Sequence, residues 1–314
     1  MKKMSVAAID IGTNSVLLLI AERRGGELVA LIDRATITRL GQGVDAARAL
    51  APEAVERTLA CLARYGEELR SLGVERVDAV GTSAMRDAAG GEAFIARARE
   101  LIGVAPRVIS GPEEAELTFA GALTGLDLPA GAPRIVFDVG GGSTEIIVGT
   151  AAGEVEQAVS LDVGAVRLTE RHVRADPPAE ADLAAVRAAS RAALATVRAE
   201  PLRAAPILVG VAGTVTTLAA LARDVVPYDG ARVHGARLSG AEIAALTARL
   251  ASAPLAARRQ LPALDPARAD VIVAGSALVE EILAWASKLA GAPVDLVVSD
   301  RGVRWGLAER LCPS

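Results

Sequence analysis

Residues 135–149 read IVFDVGGGSTEIIVG, two apolar runs joined by a polar, glycine-rich turn. The runs predict two strands, and the turn predicts a phosphate-binding loop. Because glycine has no Cβ, an anion can approach the backbone closely, and the amides of Gly140 to Ser143 can donate to phosphate oxygens. Asp138 would repel phosphate unless a cation lies between them, and its carboxylate suits a largely hydrated Mg²⁺. A tight hairpin is the alternative, although it needs only one or two residues with positive φ.

The stretch VAAIDIGTNSVLLLI at residues 6–20 repeats this design. Asp10, one residue, Gly12 and a hydroxyl residue follow a predicted strand, as Asp138 and Gly140 do later in the chain. An internal duplication of a strand-loop-strand unit explains the repetition. A third strand ending in a glycine loop is predicted at residues 207–214. Three such units are typical of a nucleotide or polyphosphate cleft.

Length and composition predict a two-domain protein. A chain of 314 residues exceeds the usual size of one core, so two domains with a cleft between them are expected. The net charge of -4 argues against a nucleic-acid partner. The sequence contains neither a signal-peptide core nor an apolar run long enough to span a membrane, so no membrane partner is expected. Cys61 and Cys312 have no metal-binding spacing and are expected to be reduced thiols of a cytoplasmic protein.

Two further stretches carry charged residues at positions where ligands bind. Arg86 follows a predicted strand at residues 76–80, and α/β proteins collect ligand residues beyond strand ends. A surface ion pair with Asp87 is the alternative for this arginine. Glu113 and Glu114 open a predicted helix, where acids also complement the helix dipole without any catalytic role.

Together these motifs resemble the exopolyphosphatase / guanosine pentaphosphate phosphohydrolase (Ppx/GppA) family of the actin-like, ribonuclease H-like ATPase superfamily. An isolated Asp-x-Gly is weak evidence, whereas the ordered set is specific and runs nearly end to end. The matching stretches are DIGTNS (10–15), RLG (39–41), TSAMR (82–86), SGPEE (110–114), DVGGGSTE (138–145), GAVR (164–167), GTVTT (213–217), VHG (233–235), RAD (268–270) and SD (299–300).

The resemblance implies an α/β protein with two ribonuclease H-like domains and a substrate cleft between them. The expected domains are residues 1–123 with a C-terminal helix at 300–314, and residues 124–299. The substrate would be inorganic polyphosphate, or guanosine pentaphosphate as in the stringent response, with hydrolysis of the terminal phosphoanhydride and release of phosphate. The expected cofactor is Mg²⁺, with Mn²⁺ as the alternative. The oligomeric state stays open, a homodimer being one possibility.

The resemblance also implies a role for individual residues. Glu114 would be the base that activates water, Arg86 would bind phosphate, and Glu145 would handle metal and water. Asp10 and Asp138 would be metal ligands together with Glu145. The loops would bind the substrate through a larger set of residues: Thr13, Asn14, Ser15, Gly140, Gly141, Gly142, Ser143, Gly213 and Thr214.

Two rival functions remain open at this point. One is a kinase or ATPase of the same superfamily that uses residues 210–217 for adenosine. The other is a non-hydrolytic sensor of guanosine tetraphosphate or polyphosphate, which would gain nothing from acids beside phosphate. His234 matches the family motif, although a structural histidine explains it equally well.

Longer family members carry an additional C-terminal helical domain, which a chain of this length is not expected to hold. Distributive cleavage of polyphosphate is therefore expected. Arg258, Arg259 and Arg268 are candidates for extra phosphate contacts, with a solvated surface as the alternative. Residues 302–306 read GVRWG where the family tends to show GLREG, so no role is assigned to them.

Overall fold

The computed structural model describes residues 5–198 and 205–312, without the side chains of residues 45, 46 and 87. The chain divides into two compact units. The first unit is Met1–Gly121 with Val303–Ser314, and the second unit is Ala122–Gly302.

A five-stranded sheet with helices on both faces forms the first unit. Its strands are β1 (Ser5–Ile11), β2 (Ser15–Arg24), β3 (Glu27–Ile37), β4 (Arg76–Gly81) and β5 (Arg107–Val108). Its helices up to the unit boundary are α1 (Val44–Ala47), α2 (Pro52–Ser71), α3 (Ser83–Asp87), α4 (Gly91–Ile102) and α5 (Gly111–Leu123), the last of which crosses into the second unit.

The second unit has a six-stranded sheet. Its strands are β6 (Arg134–Val139), β7 (Thr144–Gly149), β8 (Val155–Leu161), β9 (Ile207–Val211), β10 (Arg237–Leu238) and β11 (Leu296–Val298). Its helices are α6 (Ala165–His172), α7 (Glu180–Leu194), α8 (Ala212–Ala222), α9 (Gly230–Val233), α10 (Gly240–Ser252), α11 (Leu255–Arg258), a 3₁₀ turn (Pro266–Arg268) and α12 (Ile272–Ala290). Helix α13 (Val303–Leu311) returns to the first unit.

Alternation along β1 builds two cores in the first unit, because successive side chains of a strand point to opposite faces. Ala7 and Ile9 face a core that includes α2 and α4. Val6 and Ala8 face a second core that includes Leu117 of α5 and residues of α13. The central strand is therefore covered on both faces, and its carboxyl end at Asp10 emerges from a rigid framework.

The two sheets share one topology. Their orders are β3-β2-β1-β4-β5 and β8-β7-β6-β9-β11, with β10 added at the far edge of the second. In each, the first strand runs antiparallel to the second and parallel to the fourth. This is the ribonuclease H-like arrangement, and it confirms the duplication inferred from the two Asp-Gly motifs.

One sequence prediction is wrong at β9. The glycine loop expected before residue 215 does not form, because α8 begins at Ala212, directly after β9 ends at Val211. Ala212 makes the turn itself, with a φ of 70°. Gly213 and Thr214 therefore belong to the first turn of a helix. Among the described residues, no helix has the length and apolar character needed to cross a membrane.

Candidate active site

The turn from β1 to β2 and the turn from β6 to β7 are built alike. We call residues 12–15 the first loop and residues 140–143 the second loop. In the first loop the amide of Gly12 donates to the carbonyl of Ser15 at 2.9 Å, and in the second the amide of Gly140 donates to the carbonyl of Ser143 at 3.0 Å. A Cβ at either glycine would lie within 3.1 Å of that carbonyl oxygen. Both loops are therefore closed, tight turns.

This closure corrects the expectation for Gly140. Its amide is already engaged inside the second loop and cannot donate to phosphate at the same time. Within the described ranges, no acceptor is found for the amides of Gly141, Gly142 and Ser143, and all three residues are buried. Buried backbone donors nearly always have a partner, so these amides require water or a bound anion. They are the donors of the second loop that could bind an anion.

Helix α6 supports the second loop from behind. The amide of Ala165 donates to the carbonyl of Gly140 at 2.9 Å, and the amides of Val166 and Arg167 donate to the carbonyl of Gly141 at 2.9 and 3.1 Å. These amides are orphan donors at the start of the helix, which the loop carbonyls satisfy. Because these carbonyls point toward the helix, the free amides of the loop face the other way.

Gly164 makes this packing possible. A Cβ there would lie 2.5 Å from the carbonyl oxygen of Gly141 and 2.8 Å from the carbonyl carbon of Gly142. Both atoms belong to the backbone of the second loop and cannot rotate aside. The glycine is therefore required by the close approach of the helix to the loop.

A different support holds the first loop. Residues 38–43, which we call the strap, follow β3 and cross the loop. The amide of Gly41 donates to the carbonyl of Thr13 at 2.9 Å, and the amides of Thr38 and Arg39 both donate to the carbonyl of Asn14 at 3.0 Å. Arg39 adopts a φ of 54°, a left-handed conformation that is uncommon for a residue other than glycine. The RLG motif at 39–41 thus has a structural task, which is to hold the first loop.

Arg57 of α2 ties the strap to the body of the first unit. Its Nε donates to the carbonyl of Thr38 at 3.0 Å, and its Nη2 donates to Oε1 of Gln42 at 3.2 Å. Sequence reasoning missed this arginine, because an isolated arginine in an amphipathic helix gives no local signal of its partner.

Arg86 and Glu114 form a short charged contact in the first unit. Nη1 of Arg86 donates to Oε2 of Glu114 at 2.6 Å and to the carbonyl of Ile109 at 3.0 Å. Glu114 is only 7% exposed, whereas 23% of the Arg86 side chain remains accessible. Among the described residues, nothing accepts from Nε or Nη2 of Arg86. The guanidinium therefore fixes a buried carboxylate and keeps donors for an anion.

The two acids of the SGPEE motif have different surroundings. Glu113 pairs with Arg107 at 3.2 Å and lies 3.6 Å from Arg310, on the more open side of α5. Glu114 instead points inward to Arg86. The alternative partner of Arg86, the carboxylate of Asp87, lies outside the described side chains. Of the two acids, only Glu114 contacts a residue expected to bind phosphate.

Helix α3 connects Arg86 to the first loop. Oγ of Ser83, at the first position of α3, lies 2.8 Å from Oγ1 of Thr13, so the two hydroxyls share a hydrogen bond. The amide of Thr82 donates to the carbonyl of Ile11, at the end of β1, at 3.2 Å. The first loop and the helix that carries Arg86 therefore hold a fixed geometry relative to each other.

Asp138 and Glu145 face each other across β6 and β7. They are register partners of the antiparallel pair, so their side chains lie on the same face of the sheet. Asp138 is partly exposed, while Glu145 is 2% exposed and accepts a hydrogen bond from Oγ of Ser160 at 2.8 Å. Asp10, the third expected ligand, is the penultimate residue of β1 in the first unit and is buried.

This pair fits a hydrated divalent cation. Within the described part of the chain, no group of three or more His, Cys, Asp or Glu side chains could hold a metal ion. Two carboxylates suffice for Mg²⁺, however, because it usually retains several waters and binds through one or two carboxylates plus substrate phosphates. Asp138 and Glu145 are therefore the residues of the second unit that could hold it.

Comparison with known proteins identifies the family of this chain. The sequence model of the Ppx/GppA phosphatase family matches residues 19–313. The chain belongs to this family. It is 43% identical to exopolyphosphatase 2 of Mycobacterium tuberculosis over 98% of this chain and 98% of that protein.

Two crystal structures of Ppx/GppA relatives have the same fold throughout. An exopolyphosphatase-like protein matches with a TM-score of 0.90 and 34% identity, over 99% of this chain and 98% of that chain. The Ppx/GppA family member of Aquifex aeolicus matches with a TM-score of 0.80 and 34% identity, over 98% and 97% of the two chains.

In this Ppx/GppA chain, Gly213 has a partner that sequence reasoning did not assign to it. The guanidinium of Arg268 packs against Gly213, and a Cβ at that position would overlap Nη1 of Arg268. Burial lowers the pKa of this guanidinium below its ordinary value. Thr214 lies beside Gly275 of α12, where a Cβ would come within 2.7 Å of the threonine Oγ1. The RAD and GTVTT motifs of the family thus pack together at the start of α8.

Arg258 and Arg259 were expected, with Arg268, to make extra phosphate contacts, and their surroundings differ. Arg258 is buried, and its Nη2 donates to Oδ1 of Asp176 at 3.3 Å. Because its side chain is buried and paired with Asp176, the prediction of a phosphate contact is wrong, and so is the alternative of a solvated surface residue. Arg259, the next residue, is exposed.

His234 of the VHG motif has a carboxylate partner. Its Nδ1 lies 3.0 Å from Oδ1 of Asp300 and 3.4 Å from Oγ of Ser299. Both partners follow β11, at the same carboxyl edge of the sheet as Asp138, since β6, β9 and β11 are parallel. The VHG and SD motifs of the family therefore meet in this chain.

Proposed function

We propose that this protein is an exopolyphosphatase that hydrolyses the terminal phosphoanhydride of inorganic polyphosphate and releases phosphate. The observation that carries the proposal is the 2.6 Å contact between Arg86 and the buried carboxylate of Glu114. Hydrolysis needs a base for water and a cation for the phosphoryl group, and this contact supplies both from adjacent side chains. Family membership and the relative named exopolyphosphatase 2 support the same activity.

The proposed reaction assigns one task to each part. The oxygen of a water molecule attacks the terminal phosphorus while Glu114 takes up a proton from that water. The bridging P–O bond breaks, and the shortened polyphosphate leaves as the anion. Nε and Nη2 of Arg86 donate to the oxygens of the transferred phosphoryl group, which carry the developing negative charge.

The second unit has groups suited to binding phosphate. The amides of Gly141, Gly142 and Ser143 donate to phosphate oxygens, which would satisfy donors that have no described protein partner. When Mg²⁺, or Mn²⁺ as the alternative, is bound at Asp138 and Glu145, it would neutralise phosphate charge that these carboxylates would otherwise repel.

Guanosine pentaphosphate is the second substrate that we propose, because its terminal phosphoanhydride presents the same bond. A phosphate-release assay with purified protein, Mg²⁺ and either substrate compares the two directly. We expect release from polyphosphate. Transfer of phosphate from ATP to an acceptor, without release from polyphosphate, would instead establish the rival kinase.

Binding of polyphosphate without turnover would instead establish the rival sensor. A comparison of Mg²⁺, Mn²⁺ and EDTA in the same assay tests the metal. We further propose a cytoplasmic location and a homodimer, which cell fractionation and light scattering would test. A role in the stringent response would require turnover of guanosine pentaphosphate.

A further inference from the structure

We propose that Ser160 is a positioning residue for Glu145, through which it sets the metal-binding geometry of the second unit. The inference rests on the proposed function, because it assigns Glu145 to the metal and its waters. Ser160 itself contacts neither substrate nor reacting atoms. It acts only by holding a neighbouring carboxylate.

The register of the sheet creates the contact. Glu145 and Ser160 are partners in the antiparallel pairing of β7 with β8, so both side chains lie on one face. Oγ of Ser160 donates to Oε1 of Glu145 at 2.8 Å. A one-residue change of register would send the serine to the opposite face and abolish this bond.

Burial makes the hydrogen bond consequential. Glu145 is 2% exposed, and a polar side chain removed from water depends on hydrogen bonds to stay in place. Ser160 is exposed, so its hydroxyl is not needed to fill a core. Serine is also not among the residues enriched in strands, which leaves its contact with Glu145 as its evident task.

The chain that follows Ser160 leads to α6, which supports the second loop. Residues 160–167, which we call the β8–α6 junction, continue from Ser160 to Gly164 and the first turn of α6. Oγ1 of Thr144 donates to the carbonyl of Val163 at 2.6 Å, which binds the junction to β7. One segment therefore places both the carboxylate of Glu145 and, through α6, the second loop.

Substitution of Ser160 by alanine tests the proposal. Ser160→Ala removes the donor, Ser160→Thr keeps a hydroxyl on a residue that favours strands, and Glu156→Ala changes an exposed residue on the same face of β8. Loss of an outer-shell partner typically costs about 10- to 100-fold in metal affinity or activity. We expect Ser160→Ala to raise the Mg²⁺ concentration for half-maximal phosphate release about tenfold, with little change in KM for polyphosphate.

Ser160→Thr should restore the metal response, and Glu156→Ala should match the wild type. Calorimetric titration of Mn²⁺ into each purified protein gives a readout independent of turnover, and we expect weaker binding by Ser160→Ala alone. Equal Mg²⁺ and Mn²⁺ titrations for Ser160→Ala and wild type would overturn the proposal. Absence of phosphate release by the wild type would overturn the proposed function instead, while the Mn²⁺ titration would still decide the role of Ser160.

Discussion

In the first unit a strap of irregular chain supports the loop after β1, whereas in the second unit the N-terminus of α6 supports the loop after β6. Both loops close with the same hydrogen bond from a glycine amide to a serine carbonyl. Between those residues the first loop carries the side chains of Thr13 and Asn14, and the second carries only Gly141 and Gly142.

The first loop interacts through side chains, whereas the second loop offers backbone amides. Thr13 shares a hydrogen bond with Ser83, next to the helix that carries Arg86, so the first loop is part of a network of side chains. The second loop presents bare amides, and its support consists of backbone packed on backbone. We infer that the first unit offers side chains suited to proton transfer, and that the second unit offers backbone amides suited to anion binding.

The largest expected effect is on the base of the first unit. Glu114→Gln should lower kcat about 10²-fold or more, because the amide cannot accept the proton of water, while binding of polyphosphate persists. Glu113→Gln is the matched control, since Glu113 pairs with Arg107 outside this network. Near-normal turnover by Glu114→Gln with loss in Glu113→Gln would reverse the assignment.

Two glycine substitutions compare the support of the second loop by α6 with the support of the first loop by the strap. Gly164→Ala should lower kcat/KM about 10²-fold, because its Cβ would press on the backbone of the second loop, and small displacements of binding groups are costly. A Cβ at Gly41 would meet only side-chain atoms, those of Thr13 and Ala84, which can yield more easily than backbone, so Gly41→Ala should lower kcat/KM about tenfold or less. Steady-state kinetics on both variants measure this, and a larger loss in Gly41→Ala would contradict the comparison.

The metal response should depend on the second unit. Asp138→Asn removes one charge from the Asp138–Glu145 pair, and we expect the Mg²⁺ concentration for half-maximal activity to rise about tenfold. Phosphate release measured across a Mg²⁺ titration checks this expectation. An unchanged titration would remove Asp138 from the metal site.

The smallest expected effect on activity comes from a helix cap in the second unit. Hydrogen bonds from the Ser239 backbone, then from Arg223 and the Ser239 hydroxyl, lower the pKa of Glu242 to about 2. A carboxylate with a lowered folded-state pKa stabilises the fold above its unfolded pKa of about 4.3, and this contribution disappears as the pH falls toward 2.

Glu242→Gln should therefore lower Tm by about 2–4 °C at pH 7, with a smaller difference near pH 3 and with kcat unchanged. Thermal melts at both pH values, with kinetics at pH 7, measure this. A loss of activity as large as that of Gly164→Ala would show that general destabilisation, rather than loop displacement, explains both variants.

Local pattern was sufficient for most of the fold. Apolar runs interrupted by Asp-x-Gly predicted the paired strands of both units, since a strand, a loop and a returning strand are encoded within about 15 residues. The ordered motifs singled out Arg86 and Glu114, and the structure brings these two side chains into contact. The predicted start of α8 was wrong because Ala212 makes the turn with a positive φ, and an alanine in the sequence does not indicate such a conformation.

The duplicated architecture, the family and the residue types available for phosphate and metal could be inferred from the amino-acid sequence. Which of these residues can contact a ligand depends on the fold. Gly140 is excluded as an amide donor by its bond to Ser143, and Arg258 is excluded as a phosphate contact because it is buried. Ser160 meets Glu145 through strand register, and Arg57 reaches the strap from a separate helix. The physical reason is that hydrogen-bond capacity is a local property, whereas the partner that uses it is set by packing between segments distant in the chain.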